Sequence, residues 1–293
     1  MADNWMLLCC VVFPANLPYF DACVKSVERQ DTNAFDFLLL FDGITAEQLP
    51  PLPPQTVVKT AFGGSPLANR IDNVVYAQSH GYKAITWIDS DDEMEPGRMS
   101  FFQAHLSGWD MVVHDFSIMD QAGRFMENAG FADRVRNPLT AEQLLYQNVV
   151  GLGNTLFSVE TLSRYLEIPA ALTAVDWWLA CRILLDGGRA LVDGARLVRY
   201  RQYGANTASV RVKDFATLEK QARILKEHYE QLLALGTPYD GELTAHLRRL
   251  DTFLCRATDA NFVEMCQAEI EKDRHTAGYT WWEHTNKIIL RVV

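Results

Sequence analysis

The chain has 293 residues, 48% of them hydrophobic and 22% charged, with a formal net charge of −10. That length can bury a substantial core as one large domain or a domain with an appendage. The longest apolar runs, such as Met6 to Phe13, fall far short of the roughly 20 residues of a spanning helix. The acidic balance excludes a general grip on nucleic acid, which needs clustered Lys and Arg.

Taken in chain order, residues 6–13 (MLLCCVVF) and 36–41 (DFLLLF) are short apolar runs ending at turn-like residues, the pattern of strands buried on both faces. Between them Phe20, Cys23, Val24 and Val27 repeat at i, i+3, i+4 and i+7, which predicts a helix over 18–30. After the Pro-rich link 49–54, a strand is predicted over 56–60 and a helix over 65–80, with Leu67, Ile71, Val74 and Val75 on one side. A strand over 83–88 (KAITWI) then runs into Asp89-Ser90-Asp91-Asp92, ahead of a helix starting near Pro96. The order β-α-β-β-α-β predicts a largely parallel sheet flanked by helices.

Beyond residue 100 the expectations are a strand over 109–116 and helices over 140–147 and 159–166, which flank a Gly-containing strand over 149–158. A helix over 177–186 then stops at Gly187-Gly188, and a strand follows over 189–201. From about 211 the pattern is helical throughout: Phe215, Leu218, Ala222, Leu225, Tyr229 and Leu232 share one period, and Leu243, Leu247, Leu250 and Leu254 another. No chemistry is visible in that tail. The six cysteines form no CxxC pair and read as mostly buried, reduced structural thiols. With no basic n-region and cleavage site either, a soluble cytoplasmic protein is expected, with peripheral contact at the inner face of a membrane as the variant of that expectation.

Ligands bind open parallel sheets at the carboxyl ends of the strands. Three polar clusters fall there, Pro14-Ala15-Asn16, Asp42-Gly43 and Asp89-Ser90-Asp91-Asp92, and parallel strands bring them to one rim. Three carboxylates in four residues repel one another unless a cation compensates them. Magnesium or manganese favours such oxygen ligands and bridges them to phosphates. The plain rival is a solvated acidic turn capping the next helix.

At these positions the chain resembles family-2 glycosyltransferases. VVFPANLPYFDACVKSVERQ resembles their opening strand, turn and helix; FDGIT their Asp-Asp-Gly-Ser turn; ANRIDNVVYAQSHGYKAITWIDSDDEMEPGRM their Arg-bearing helix, strand and DxD motif; and VDWWLACRILLDGGRALVDGARLVRYRQYGANTAS their Glu-Asp-Trp and closing Tyr-Arg segments. The likeness covers roughly residues 5–210, with the motifs in order and at the right spacing.

The resemblance implies a GT-A fold, a Rossmann-like mixed and mostly parallel sheet flanked by helices. It would occupy residues 1–210, with a C-terminal helical extension over 211–293. It implies an inverting transferase that moves a sugar from a nucleotide-diphosphate donor, a UDP-sugar by preference, to an acceptor hydroxyl in surface polysaccharide biosynthesis. By the same likeness Pro14, Ala15 and Asn16 lie along the nucleoside, Asp42 meets the base or ribose, and Arg70 approaches the phosphates. Asp89 and Asp91 serve the ribose and a divalent metal, Mn2+ or Mg2+, with Asp92 the weaker ligand, and Ser90 belongs to the donor site. Asp176 would take the acceptor's proton; its plain role is a helix cap. Trp177 and Trp178 offer an acceptor-side stacking face, although at least one should be core.

Two departures stand out. The turn's Asp-Asp is Phe41-Asp42 here, and Arg201 is followed by Gln202 and Tyr203 where relatives often carry a His, in some members a metal ligand. Both favour an alternative, a catalytically inactive relative that binds a nucleotide sugar or a partner. A nucleotidyltransferase on a similar fold ranks last, because PANLPYF lacks the Gly-rich loop and Lys that cradle a triphosphate. His114, within an apolar strand, could face the cleft, but a satisfied structural histidine is the commoner case.

Overall fold

The computed structural model describes residues 5–61, 65–203, 210–273, 276 and 280–293. The first half follows the expected order: β1 (Met6–Val12), α1 (Leu17–Glu28), β2 (Phe35–Phe41), β3 (Thr56–Thr60), α2 (Pro66–Ser79) and β4 (Ala84–Trp87). A two-residue strand β5 (Glu93–Met94), α3 (Arg98–His105), β6 (Met111–Met119) and β7 (Phe125–Asn128) come next. Then follow β8 (Thr155–Ser158), the single turn α4 (Val159–Leu162), α5 (Val175–Leu185) and β9 (Ala190–Arg201).

The described strands form one nine-stranded mixed sheet in the order β3-β2-β1-β4-β8-β6-β9-β5, with β7 on the far edge of β6. β1 to β4 are parallel neighbours, β8 is reversed, and β6 and β9 return to the first direction, so six of the nine run one way. Pairing Val12 with Phe41 and Cys9 with Trp87 brings the carboxyl ends of β1, β2 and β4 to one rim. β1 and β2 are buried almost throughout, as unbroken apolar runs require. α1 covers the sheet with the predicted Phe20, Cys23, Val24 and Val27.

Three local expectations differ from the structure. The predicted helix over 140–147 is one 3-10 turn, Glu142–Leu144. Three carbonyls that a helix over 140–147 would leave open in its last turn are held from outside the segment: Trp177 Nε1 donates to Leu144 O at 2.8 Å, Tyr229 Oη to Leu145 O at 2.6 Å, and Asn286 Nδ2 to Tyr146 O at 2.6 Å. The strand over 149–158 shrinks to β8, because Asn154 Oδ1 accepts from Gly151 N at 2.7 Å and folds the preceding residues into a 3-10 turn. On α2 the buried positions are Asn69, Asn73, Val74 and Ala77, while Val75 is 47% exposed.

The tail forms α6 (Phe215–Leu233), α7 (Asp240–Arg256), α8 (Ala260–Lys272) and α9 (Glu283–Val292). Leu218, Ala222, Leu225, Tyr229 and Leu232 are buried as their period predicts, as are Leu243, Leu247 and Leu250. Its apolar residues belong to the same continuous core as the sheet. His228 stacks on Trp177 of α5, ring centroids 3.9 Å apart, and Trp281 bridges to Asn148. All six cysteines are free, and only Cys255 is exposed. No helix of the described residues is long and apolar enough to cross a membrane.

Candidate active site

The rim at the ends of β1, β2 and β4 opens into a cavity of about 350 Å3. Asn16, Asp42, Arg70, Asp89, Ser90, Asp91, Asp92 and Asp176 all line it, so residues far apart in the chain meet in one place. Pro14 and Ala15 do not. They form an exposed 3-10 turn at the lip, where the Pro14 ring lies against Gly43.

The acidic turn is held from several sides. Asn16 Nδ2 donates to the buried Ser90 Oγ at 3.1 Å, joining the first turn to the third. Asp92 Oδ1 accepts from Arg201 N at 2.7 Å, and the Arg201 Nε–H donates to Asp91 O at 2.7 Å, so the end of β9 fixes the turn's backbone. Asp91 Oδ2 accepts from Tyr203 Oη at 2.8 Å, and the same hydroxyl lies 3.4 Å from Asn16 Oδ1. Tyr203 therefore stands against the candidate metal carboxylate at the point where the sequence departs from the motif it resembles. Asp42 accepts a long contact from Asn69 Nδ2, 3.5 Å.

Beneath the turn lies a feature that sequence reasoning misses. Arg98, the trailing Arg of EPGRM, is fully buried. Its guanidinium donates to His114 Nε2 at 3.1 Å, Met94 Sδ at 2.9 Å, Thr86 Oγ1 at 2.9 Å, Trp87 O at 3.0 Å and Gly153 O at 2.7 Å. Burial pulls its pKa down to about 9, and the Asp92 and Asp89 charges oppose that fall. It remains a cation at neutral pH, placed under a patch of carboxylates. His114 is a structural histidine: Nε2 accepts from Arg98, Nδ1 lies 2.7 Å from Asp115 O, and burial holds its pKa well below the usual value. A signal for Arg98 exists, an Arg in a segment that the Pro96-Gly97 turn brings back under the strand end.

Asp89 reaches into the cavity and touches solvent there, yet its carboxyl is pushed up to about 6. Burial among protein atoms is the largest cause and the Asp91 charge the next; Arg70 acts in the opposite sense, and Asp176 raises the value further. Asp92 is buried and pushed well above the carboxylate range, first by burial and then by Asp89 and Asp91. The Asp176 carboxyl is also raised, by burial, with Arg70 opposing. Arg70 is thus the cation shared by the acidic turn and Asp176. The Asp176 side chain does not cap α5. Ala174 occupies that position, and Asp176 sits in the first turn with Oδ1 accepting from Trp177 N at 2.8 Å.

Trp177 and Trp178, expected as a stacking face, are both core residues. Trp177 is 0% exposed, Trp178 is 4% exposed, and neither lines the cavity. Two tryptophans of the tail do so instead, Trp281 and Trp282, together with Phe116 and Tyr200 of the sheet. Their spacing gives no periodic signal, because they lie between helices.

No protein-family model matches the chain, and no curated protein matches it in sequence. Solved structures do. S. aureus TarS 1–349 with UDP superposes at a TM-score of 0.55 with 12% identity, over 92% of this chain and 81% of that one. TarS 1–349 with UDP-GlcNAc gives 0.57 and 14%, over 90% and 78%. The mannosyltransferase PcManGT from Pyrobaculum calidifontis, with GDP-Man and Mn2+, gives 0.57 and 15%, over 98% and 85%. The chain has the GT-A fold of nucleotide-sugar glycosyltransferases. Both neighbours match this chain into its tail.

Proposed function

We propose that the protein is a glycosyltransferase that takes a sugar from a nucleotide-diphosphate donor, a UDP-sugar by preference, and joins it to an acceptor hydroxyl with inversion. The observation that carries this reading is the meeting of Asp89, Asp91, Arg70 and Asp176 in one cavity of a GT-A fold. The neighbours bind UDP, UDP-GlcNAc and GDP-Man, which supports a nucleotide sugar and leaves uridine as the choice of this reading.

The donor's nucleoside would lie by Asn16, Asp42 and Asn69, with Pro14 and Ala15 at its solvent edge and Asp89 and Ser90 at the ribose. Its diphosphate would meet Arg70. Among the described residues no group of three His, Cys, Asp or Glu could hold a cation alone. Asp89 and Asp91 still fit one, because Mg2+ and Mn2+ are commonly held by one or two carboxylates together with substrate phosphates. Such an ion would neutralise the diphosphate and stabilise the charge on the departing nucleotide. That the PcManGT complex contains Mn2+ supports the choice of metal.

Asp176 would accept the acceptor's hydroxyl proton as that oxygen bonds to the anomeric carbon and the bond to the diphosphate breaks. Its raised pKa suits a general base, since a carboxylate closer to neutrality takes a proton more readily, and the Arg70 charge opposes the rise. The acceptor in this reading is a surface glycan, reached from the cytoplasm.

The test compares the natural chain with Asp176→Asn on a panel of nucleotide sugars, with and without manganese. The expected result is nucleotide affinity within about twofold and transfer reduced at least 10^3-fold, the range of a lost general base with a few kcal/mol of transition-state stabilisation. Equal transfer by both proteins removes Asp176 from the chemistry. Nucleotide binding with no transfer by the natural chain supports an inactive, sugar-nucleotide-binding relative instead.

A further inference from the structure

We propose that Trp281 and Trp282 form the acceptor wall of the cavity, and that the acceptor they take is an uncharged hexopyranoside. This rests on the glycosyltransferase reading and adds to it the class of the second substrate.

The two rings come from the turn that leads into α9, outside the sheet, yet both line the cavity that holds Asp176. Trp281 is held rigidly. Its backbone carbonyl accepts from Asn148 N at 3.0 Å, and its ring packs on Phe116 at 4.8 Å and Tyr200 at 5.7 Å between centroids. Residue 151 is glycine, and a Cβ there would come within 2.9 Å of the Trp281 ring. The sequence has left that space for the indole. Trp282 lies parallel to Trp177, 7° between planes, and Trp177 follows Asp176 directly in the chain. The second ring lines the same cavity as Asp176. Its φ of +69° is the only positive value at a non-glycine among the described residues. A bulky side chain in that region costs free energy and persists only where surrounding contacts hold it.

An aromatic wall beside a proton acceptor fits one face of a sugar ring. The electron-rich indole face attracts the polarised C–H bonds of a pyranose, and that contact removes apolar area from water while the hydroxyls stay at the ring edge. Charge decides between a neutral and an anionic acceptor. The cavity lining contains the acidic residues Asp42, Asp89, Asp91 and Asp176, with Asp92 held toward its neutral form by burial, against the single cation Arg70 among the described lining residues. Arg70 already faces Asp89 and Asp176 and is the only described lining cation available to a donor diphosphate. No second cation among the described lining residues is left for a phosphate or carboxylate on the acceptor, and at low dielectric that anion would meet uncompensated repulsion.

The experiment uses the full chain saturated with UDP and manganese. Binding of the nucleotide is first established by calorimetry. Methyl glucoside, galactoside, mannoside and N-acetylglucosaminide, with glucose 6-phosphate as the charged counterpart, are then titrated while the indole N–H signals of Trp281 and Trp282 are followed. The expected result is a shift of both signals with at least one neutral glycoside and at least tenfold weaker binding of glucose 6-phosphate than of methyl glucoside. Trp282→Phe and Gly151→Ala should each weaken the glycoside at least fivefold and leave the nucleotide affinity within twofold. The measurement on the unaltered protein does not depend on the variants folding. Nucleotide binding with no indole response to any neutral glycoside, or with glucose 6-phosphate preferred, overturns the proposal alone. So does equal weakening of nucleotide and glycoside in the variants. Failure of any nucleotide to bind overturns the glycosyltransferase reading and the wall with it.

Discussion

Two residues set the character of the acidic turn, and neither belongs to the DxD triplet. Tyr203 donates to Asp91 Oδ2 at 2.8 Å. A cation approaching Asp91 must compete for the oxygen that the phenol occupies. Removing one hydrogen bond to a charged group is worth about 1.5–3 kcal/mol. Solvent at the half-buried Tyr203 reduces this to about 1 kcal/mol, roughly fivefold in affinity. Tyr203→Phe should therefore tighten manganese binding to the UDP-loaded protein about fivefold by calorimetry. Weaker binding would mean that the hydroxyl orients the carboxylate for the metal. Arg98 acts from below. It is fully buried with five acceptors around it, and lysine cannot reproduce that fork. Arg98→Lys should cost about 3–5 kcal/mol of stability, the range for breaking a buried charged network, read as a lower urea midpoint. An unchanged midpoint would show that the network contributes nothing net.

At the scale of elements, the parts legible in the sequence are those whose pattern comes from local burial. β1, α1, β2 and β3 fall within two residues of expectation because their apolar positions alone decide which face is covered. α2 lies where expected but with a different face inward. Its Asn69 and Arg70 turn toward the cavity, and apolar periodicity is blind to a polar inward face. The segment after residue 140 is illegible for another reason: its carbonyls are satisfied by Trp177, Tyr229 and Asn286, and two of these lie in the tail. The tail shows no chemistry as a sequence, whereas two of its tryptophans line the cavity.

The tail also carries an acid sensitivity. His228 is fully buried against Trp177, neither ring nitrogen has a hydrogen-bond partner among the described residues, and burial pulls its pKa down to about 3. A histidine with a folded-state value below its unfolded 6.5 leaves stability complete above pH 6.5. As pH falls from there toward about 3, the unfolded chain takes the proton first and stability drains away. By pH 5 the loss from this group is about 2 kcal/mol, at about 1.4 kcal/mol per tenfold change in proton activity. His228→Phe keeps the stacked ring and removes the titration. Its advantage over the natural chain should grow by about 2 kcal/mol between pH 8 and pH 5 in urea melts. A gap independent of pH would show that His228 takes its proton at the same pH in the fold as in the unfolded chain.

The molecule as a whole bears a formal charge of −10, and its cavity concentrates acidic residues, Asp42, Asp89, Asp91 and Asp176 beside the buried Asp92, against one arginine among the described lining residues. A nucleotide diphosphate approaching without a divalent ion is repelled both by these groups and by the wider field. Salt shortens the reach of that field from about 30 Å at 0.01 M to about 8 Å at 0.15 M. Most anion sites weaken as salt rises, because their own cations are screened. Here the balance is reversed, and in the presence of a chelator UDP should bind roughly threefold more tightly at 0.15 M than at 0.01 M sodium chloride, the consequence of screening a net repulsion. With saturating manganese the local charge is compensated, and the dependence should flatten or change sign. Titration calorimetry at the two ionic strengths, with chelator and then with metal, decides the matter. Weakening with salt in the chelated protein would mean that the nucleotide meets net positive charge, and the carboxylate turn would lose its reason to recruit a cation.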